Sequence, residues 1–91
     1  MAIGIFFQAE GLTPAEYQVV VDKVAPGGRL PSGMQSHVAG TTATGGICVV
    51  EIWESKDAAD AFFQNTLGQA LNDANIHPTA TFFDVFNTLK P

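Results

Sequence analysis

Two amphipathic segments alternate with apolar, strand-like stretches, and this alternation constrains the fold more than any other feature of the sequence. The hydrophobic pattern predicts six elements in the order β-α-β-β-α-β. The strands are predicted at residues 2–9, 34–41, 47–54 and 81–89, and the helices at residues 14–25 and 56–74. A loop rich in Gly and Pro ends the first helix, and Gly45-Gly46 lies in the turn between the second and third strands. We expect one domain that spans residues 1–91.

Both predicted helices begin at a recognisable cap. Thr13 is placed to accept a hydrogen bond from the first free backbone amides, Glu16 to reach back, and Pro14 to occupy the first helical position. Ser55 is the corresponding cap of the second helix. Each helix carries one apolar stripe, which in the first consists of Tyr17, Val20, Val21 and Val24. The stripes indicate that both helices pack on an apolar surface.

The order of elements is typical of the ferredoxin-like α+β fold, in which a four-stranded antiparallel sheet carries both helices on one face. The chain is 46% hydrophobic and only 14% charged, whereas soluble domains usually contain about 25% charged residues. Because so small a domain can bury only part of its apolar surface, we expect a homodimer. A well-filled core in a single subunit is the alternative.

Charge and cysteine content argue against several kinds of function. The net charge is −5 and the only basic residues are Lys23, Arg29, Lys56 and Lys90, too few for the basic face that nucleic acids or anionic membranes require. No apolar run approaches the ~20 residues of a membrane-spanning helix. Cys48 is the only cysteine, and its apolar neighbours predict a buried, unreactive thiol. With no signal-peptide pattern, we expect a cytoplasmic protein.

The hairpin of the second and third strands decides which side chains share a face of the sheet. If it folds symmetrically about Thr44, His37 lies opposite Glu51 and Gln35 opposite Trp53. Val49 and Ala39 join these four, and the other face collects Met34, Ser36, Val38, Gly40, Cys48, Val50 and Ile52. We expect the helices to cover this second, more apolar face, and the first to form a ligand cavity or a dimer interface. A register slip of one residue would exchange the two faces.

The third strand ends Val50-Glu51-Ile52-Trp53-Glu54-Ser55, directly before a helix rich in Ala and Phe. With this ending and its β-α-β-β-α-β order, the chain resembles the antibiotic-biosynthesis-monooxygenase-like branch of the dimeric α+β barrel superfamily. The resemblance implies two sheets packed face to face, with a pocket between sheet and helices in each subunit. It also implies small-molecule chemistry, in some members oxidation of aromatic polyketides by O₂ without metal or flavin. Many members carry a His early in the second helix, where this chain reads Ala61-Phe62-Phe63.

His37 and Glu51 are the candidate catalytic residues. A carboxylate that is bonded to one imidazole nitrogen fixes the tautomer, and the other nitrogen can then accept a proton near neutral pH. A polar cross-strand pair at a subunit interface is the alternative interpretation.

Five further residues are candidates for ligand binding. Trp53 is suited to stack on a flat aromatic ligand, or is a core or interface residue. Gln35 and Gln8 are placed to orient a polar group, and Val49 to contact an apolar one. Asp84 lies in a Phe-rich strand, and either it is buried and functional or it faces solvent at a sheet edge. We interpret Tyr17 and His77 as a helix-stripe residue and a loop residue.

These observations predict a homodimer that binds a small hydrophobic, aromatic molecule, and the resemblance implies a cofactor-independent monooxygenase or a cyclase of secondary metabolism. A non-catalytic ligand-binding or structural dimer is the alternative. We expect no cofactor and no metal, because the His, Cys and acidic residues show no ligand spacing. Haem binding is a third hypothesis, for which His37 or His77 would have to supply the axial ligand.

Overall fold

The computed structural model describes residues 1–91 and contains the predicted β-α-β-β-α-β order. Strand β1 spans Ile3–Glu10, helix α1 Pro14–Val24, strand β2 Met34–Thr41, strand β3 Gly46–Trp53 and strand β4 Thr79–Asp84. The second helical segment consists of α2 (Lys56–Phe62), a π-helical turn (Phe63–Leu67) and α3 (Gly68–Asp73). None of these helices is both long enough and apolar enough to span a membrane.

The predicted cap of α1 is present as a reciprocal pair of hydrogen bonds. The backbone N–H of Glu16 donates to the Thr13 hydroxyl (3.2 Å), and the Thr13 backbone N–H donates to the Glu16 carboxylate (3.0 Å). A cap of this kind contributes about 1 kcal/mol. At α2, the Ser55 hydroxyl accepts from the N–H of Ala58 (3.1 Å). Both helix starts are therefore confirmed.

The four strands form one antiparallel sheet in the order β2-β3-β1-β4, which confirms the ferredoxin-like α+β fold. Strand β4 differs from its predicted range, since it ends at Asp84 and the prediction extended to residue 89. The pairing explains the difference. Strand β4 pairs only with β1, Asp84 lies opposite Ile3, and the N–H of Val85 makes the last bond, to the carbonyl of Ala2. Beyond this point β1 has no residues left to pair.

The register of the β2–β3 hairpin is predicted correctly except at one end. His37 lies opposite Glu51 as expected, but a bulge between Met34 and Ser36 places Met34, not Gln35, opposite Trp53. A bulge inserts one extra residue, so alternation counted through it fails. Gln35 is the extra residue and is exposed to solvent.

The prediction of which face the helices cover is wrong. The core beneath them is built from Trp53, Ile3, Ile5, Met34 and Ala59, and Trp53 is only 1% exposed. Glu51 and Val49 are buried on the same side, and His37 is half-buried there. Val38 is 66% exposed on the opposite, uncovered face, which also carries the half-buried Cys48, so its thiol is not the fully buried one predicted.

Two physical reasons account for this reversal. The largest side chain of the hairpin, Trp53, buries most apolar area when it lies under helices, and it lies opposite Ile3 of β1. The polar groups beside it are no obstacle, because each finds a hydrogen-bond partner within the fold, one of them on α1. Buried polar groups are costly only when they are left unpaired.

Candidate active site

Four side chains form a continuous hydrogen-bonded array between the sheet and α1. The Tyr17 hydroxyl lies 2.5 Å from Nε2 of His37, and Nδ1 of the same ring lies 3.1 Å from Oε2 of Glu51. The indole N–H of Trp53 donates to the other carboxylate oxygen, Oε1, at 3.1 Å. The order of the array is therefore Tyr17, His37, Glu51, Trp53.

Local structure places each member of the array. His37 and Glu51 are cross-strand partners on β2 and β3, and Trp53 follows Glu51 by two residues, so strand alternation puts it on the same face. Tyr17 begins the apolar stripe of α1 in the first turn after the Thr13 cap, which directs its ring onto the sheet. The capping box thus fixes the start of the helix that delivers the hydroxyl.

Glu51 is the buried charge on which this array is centred. It is 5% exposed, and both carboxylate oxygens accept a hydrogen bond. A carboxylate beside Nδ1 favours the tautomer with the proton on Nδ1, so Nε2 becomes the acceptor for the Tyr17 hydroxyl. Burial, and secondly the negative charge of Glu51, raise the pKa of Tyr17 above its usual 10.0. Tyr17 is therefore a neutral donor at physiological pH.

The array forms one wall of a cavity of about 250 Å³ between the sheet and the helices. Sixteen of the twenty-two lining residues are hydrophobic, and Tyr17, His37 and Glu51 supply the polar groups of its interior. Cavities of this composition, apolar with a few converging polar groups, are typical of small-molecule sites, whose volumes are usually about 300–1,000 Å³. The volume here suits a small ligand.

The structure brings some of the predicted site residues together and separates others. Val49 lines the cavity with His37 and Glu51, whereas Trp53 lies outside its lining and supports Glu51 from the core. Gln35, Gln8 and Asp84 are exposed and do not line the cavity. Gln8 lies on the uncovered face, and Asp84 at the end of an edge strand.

Tyr17 is the residue of the array that sequence reasoning missed. Its position in the α1 stripe predicts a packing role alone. The signal was present, because Tyr17 is the only polar member of an otherwise all-valine stripe, and the hydroxyl of a buried tyrosine usually needs a partner.

Few side chains in the structure are placed to bind a metal ion or haem iron. No group of three His, Cys, Asp or Glu side chains is placed to hold a metal ion. Both ring nitrogens of His37 are already hydrogen-bonded, so ligation of haem iron by this residue would require the array to break. His77 is exposed, with its Nε2 atom 3.3 Å from the side-chain oxygen of Asn75.

No family model and no curated protein matches the sequence, but several solved structures match the fold. Rv0793 from Mycobacterium tuberculosis has a TM-score of 0.76 and 12% identity, with 99% of this chain and 100% of that chain covered. SnoaB from Streptomyces nogalater, described as a cofactor-independent oxygenase, has a TM-score of 0.66 and 18% identity, with 99% and 96% covered. A dimeric ferredoxin-like protein of unknown function from Thermobifida fusca has a TM-score of 0.68 and 16% identity, with 93% and 92% covered.

A candidate antibiotic biosynthesis monooxygenase from Chloroflexus aurantiacus matches in the same way. The sequence identities are low, so what these structures share with the chain is the path of the backbone over nearly its whole length. The chain shares the ferredoxin-like α+β fold of these solved structures, among them a candidate antibiotic biosynthesis monooxygenase and a cofactor-independent oxygenase.

Proposed function

We propose that the chain forms a homodimer, that each subunit binds a small hydrophobic, aromatic molecule in the cavity beside His37, and that the array removes a proton from it. One observation carries the proposal. A half-buried imidazole, oriented by a buried carboxylate and bonded to a tyrosine hydroxyl, is the main polar feature inside a mostly apolar cavity. Such an arrangement is suited to general acid–base catalysis.

The proton would leave through Tyr17. The phenol oxygen accepts the proton of an acidic C–H or O–H of the ligand as its own proton passes to Nε2 of His37. The imidazolium that forms is stabilised by Glu51, 3.1 Å from Nδ1. Because the pKa of Tyr17 is raised, the group is a neutral phenol at physiological pH, and a neutral phenol oxygen is a weak base unless its own proton is transferred at the same time. The geometry therefore favours a relay over a direct attack by tyrosinate.

A deprotonated aromatic ligand can then react with O₂ without help from a cofactor. For an anthrone, the ring CH₂ group loses two hydrogens and gains one oxygen atom of O₂, and the second oxygen atom leaves as water. Anthrone plus O₂ thus gives anthraquinone plus H₂O. Support for this chemistry comes from the fold shared with SnoaB, described as a cofactor-independent oxygenase.

The uncovered face of the sheet supports self-association. It carries Val38, 66% exposed, and Phe83, 43% exposed, beside the half-buried Val50 and Ile52. Contiguous apolar surface of this kind usually marks an interaction site. A similar solved structure is described as dimeric, and we propose that a second copy of the chain covers this face.

Substitution of His37 tests the catalytic proposal. We expect His37→Ala to lower the rate of anthrone oxidation, measured as O₂ uptake, by at least about 100-fold, since general acid–base groups contribute 10²–10⁴. His77→Ala is the matched control, because His77 is the other histidine and is exposed. Equal rates in the wild type and His37→Ala would remove the array from the mechanism.

A non-catalytic ligand-binding protein is the second candidate. It is favoured by the closed state of the array, in which both nitrogens of His37 are hydrogen-bonded and the imidazole has no free lone pair to offer a ligand. Calorimetric binding of aromatic ligands with no O₂ uptake in air would support this function over catalysis.

A further inference from the structure

One positive charge lines the cavity, and it has no partner within the chain. Arg29 lines the cavity with its neighbours Gly28 and Leu30, in the loop that follows α1, and it is exposed. The two ion pairs of the structure join other residues, His37 with Glu51 and Lys56 with Asp60. The guanidinium is thus free to bind a ligand.

The positive charge of Arg29 stands out because the rest of the chain is acidic. The net charge is −5, with only four basic residues, and none of the three lysines lines the cavity. The net negative charge repels anions from the molecule as a whole, and Arg29 is the one lysine or arginine among the residues that line the cavity. A guanidinium with its planar set of N–H donors is suited to bind a carboxylate through two parallel hydrogen bonds.

The distance along α1 indicates the shape of the ligand. Tyr17 and Val24 both line the cavity, and seven residues of helix separate them by about 10 Å. Arg29 follows the C-terminal end of α1, opposite to the end that carries Tyr17, and its loop also lines the cavity. The array and the guanidinium therefore act on different ends of one ligand, and apolar side chains line the space between them.

We infer that the ligand of this cavity is an amphipathic organic acid, with a flat hydrophobic body between the sheet and α1 and a carboxylate bound by Arg29 at the mouth. This inference rests on the proposed function, since it names the class of molecule that the same cavity takes. The array does not bind the carboxylate, because the negative charge of Glu51 lies behind His37 and disfavours a second anion there.

The test compares one hydrophobic body with and without its charge. We expect the wild type to bind 2-naphthoate at least about fivefold more tightly than methyl 2-naphthoate in calorimetric titrations at low salt. Arg29→Gln should weaken 2-naphthoate about fivefold or more and leave the methyl ester within twofold. Added NaCl should weaken the acid and not the ester, since salt screens an exposed ion pair.

Lys90→Gln is the matched control, because it removes the same charge from an exposed residue outside the cavity. It should leave the affinities for both ligands unchanged. Equal affinities for acid and ester in the wild type, or equal weakening by the two substitutions, would overturn the role of Arg29 and leave the cavity as a neutral hydrophobic site. Failure of both ligands to bind the wild type would overturn the proposed function itself, and this inference with it.

Discussion

The hydroxyl of Tyr17 connects the helix layer to the buried polar groups of the sheet. Without it, Nε2 of His37 would face an apolar cavity with no partner, and an unpaired buried polar atom costs about 1–3 kcal/mol. Tyr17 is also the only tyrosine of the chain. Its ionisation can therefore be observed without interference from another phenol.

The titration of Tyr17 is the first prediction at the residue scale. Burial, and secondly the charge of Glu51, raise its pKa, so the near-ultraviolet absorbance of the phenolate should appear with a midpoint above pH 10.0. Glu51→Gln should lower this midpoint but leave it above 10.0, because burial is the larger cause. Tyr17→Phe should abolish the signal, and a wild-type midpoint at or below 10.0 would contradict the structure.

The raised pKa of Tyr17 also determines the direction in which the free energy of unfolding changes with pH. The folded state holds the Tyr17 proton more tightly than the unfolded state, so the contribution of this group is fully present below pH 10.0. It is lost as the pH rises through the higher pKa of the folded state. In the wild type, the free energy of unfolding should fall above pH 10.0 partly because Tyr17 ionises. Tyr17→Phe should remove this contribution, so the free energy of unfolding should fall less steeply at high pH.

At the scale of elements, β1 is the strand that the other parts of the sheet depend on. It pairs with both β3 and β4, and β4 has no other partner. Gly4 of β1 lies opposite Phe83, whose ring lies over it so closely that an added Cβ would stand 2.0 Å from a ring carbon. A side chain at this position would require the Phe83 ring to move, because the ring occupies the space of a Cβ.

Gly4→Ala should therefore destabilise the protein, by about 1–3 kcal/mol as for other overpacked sites. The measurement is urea denaturation. The double variant Gly4→Ala/Phe83→Ala is the control, and it should be no less stable than Phe83→Ala alone, because the clash needs both side chains. A stable Gly4→Ala variant would show that the ring moves away at little cost.

At the scale of the whole molecule, the two faces of the sheet have different environments. The helices cover the face of Trp53 and Glu51, and the opposite face keeps Val38 and Phe83 in contact with water in the single subunit. Burying such a face against a second copy would release water from both apolar surfaces.

Light scattering should give a particle of twice the 9.6 kDa chain mass. Val38→Lys should shift the mass towards the single chain, because a lysine charge would have to lose its hydration in the interface. The matched control is Val19→Lys on α1, where the valine is 53% exposed away from this face, and its mass should stay that of the dimer. A wild-type mass of one chain would contradict the proposed dimer.

The fold was predictable from the sequence because the signals that indicate it are local. Caps at Thr13 and Ser55 fixed where the helices begin, and strand-like runs fixed the β-α-β-β-α-β order, because these signals act between residues close in the chain. The pairing of His37 with Glu51 also followed from the hairpin alone. Strand alternation also places Trp53 on their face, so three of the four residues of the array were predictable before any tertiary contact was known.

Tertiary contacts decided the rest. Which face of the sheet the helices cover depends on the total area that Trp53 and its neighbours on β1 bury, a sum over residues distant in the chain. The hydroxyl of Tyr17 reaches His37, twenty positions away, only once α1 lies across the sheet. By itself the sequence determined the elements and their order, and the packing of helix on sheet determined which polar residues meet, because burial and pairing are properties of the assembled layers.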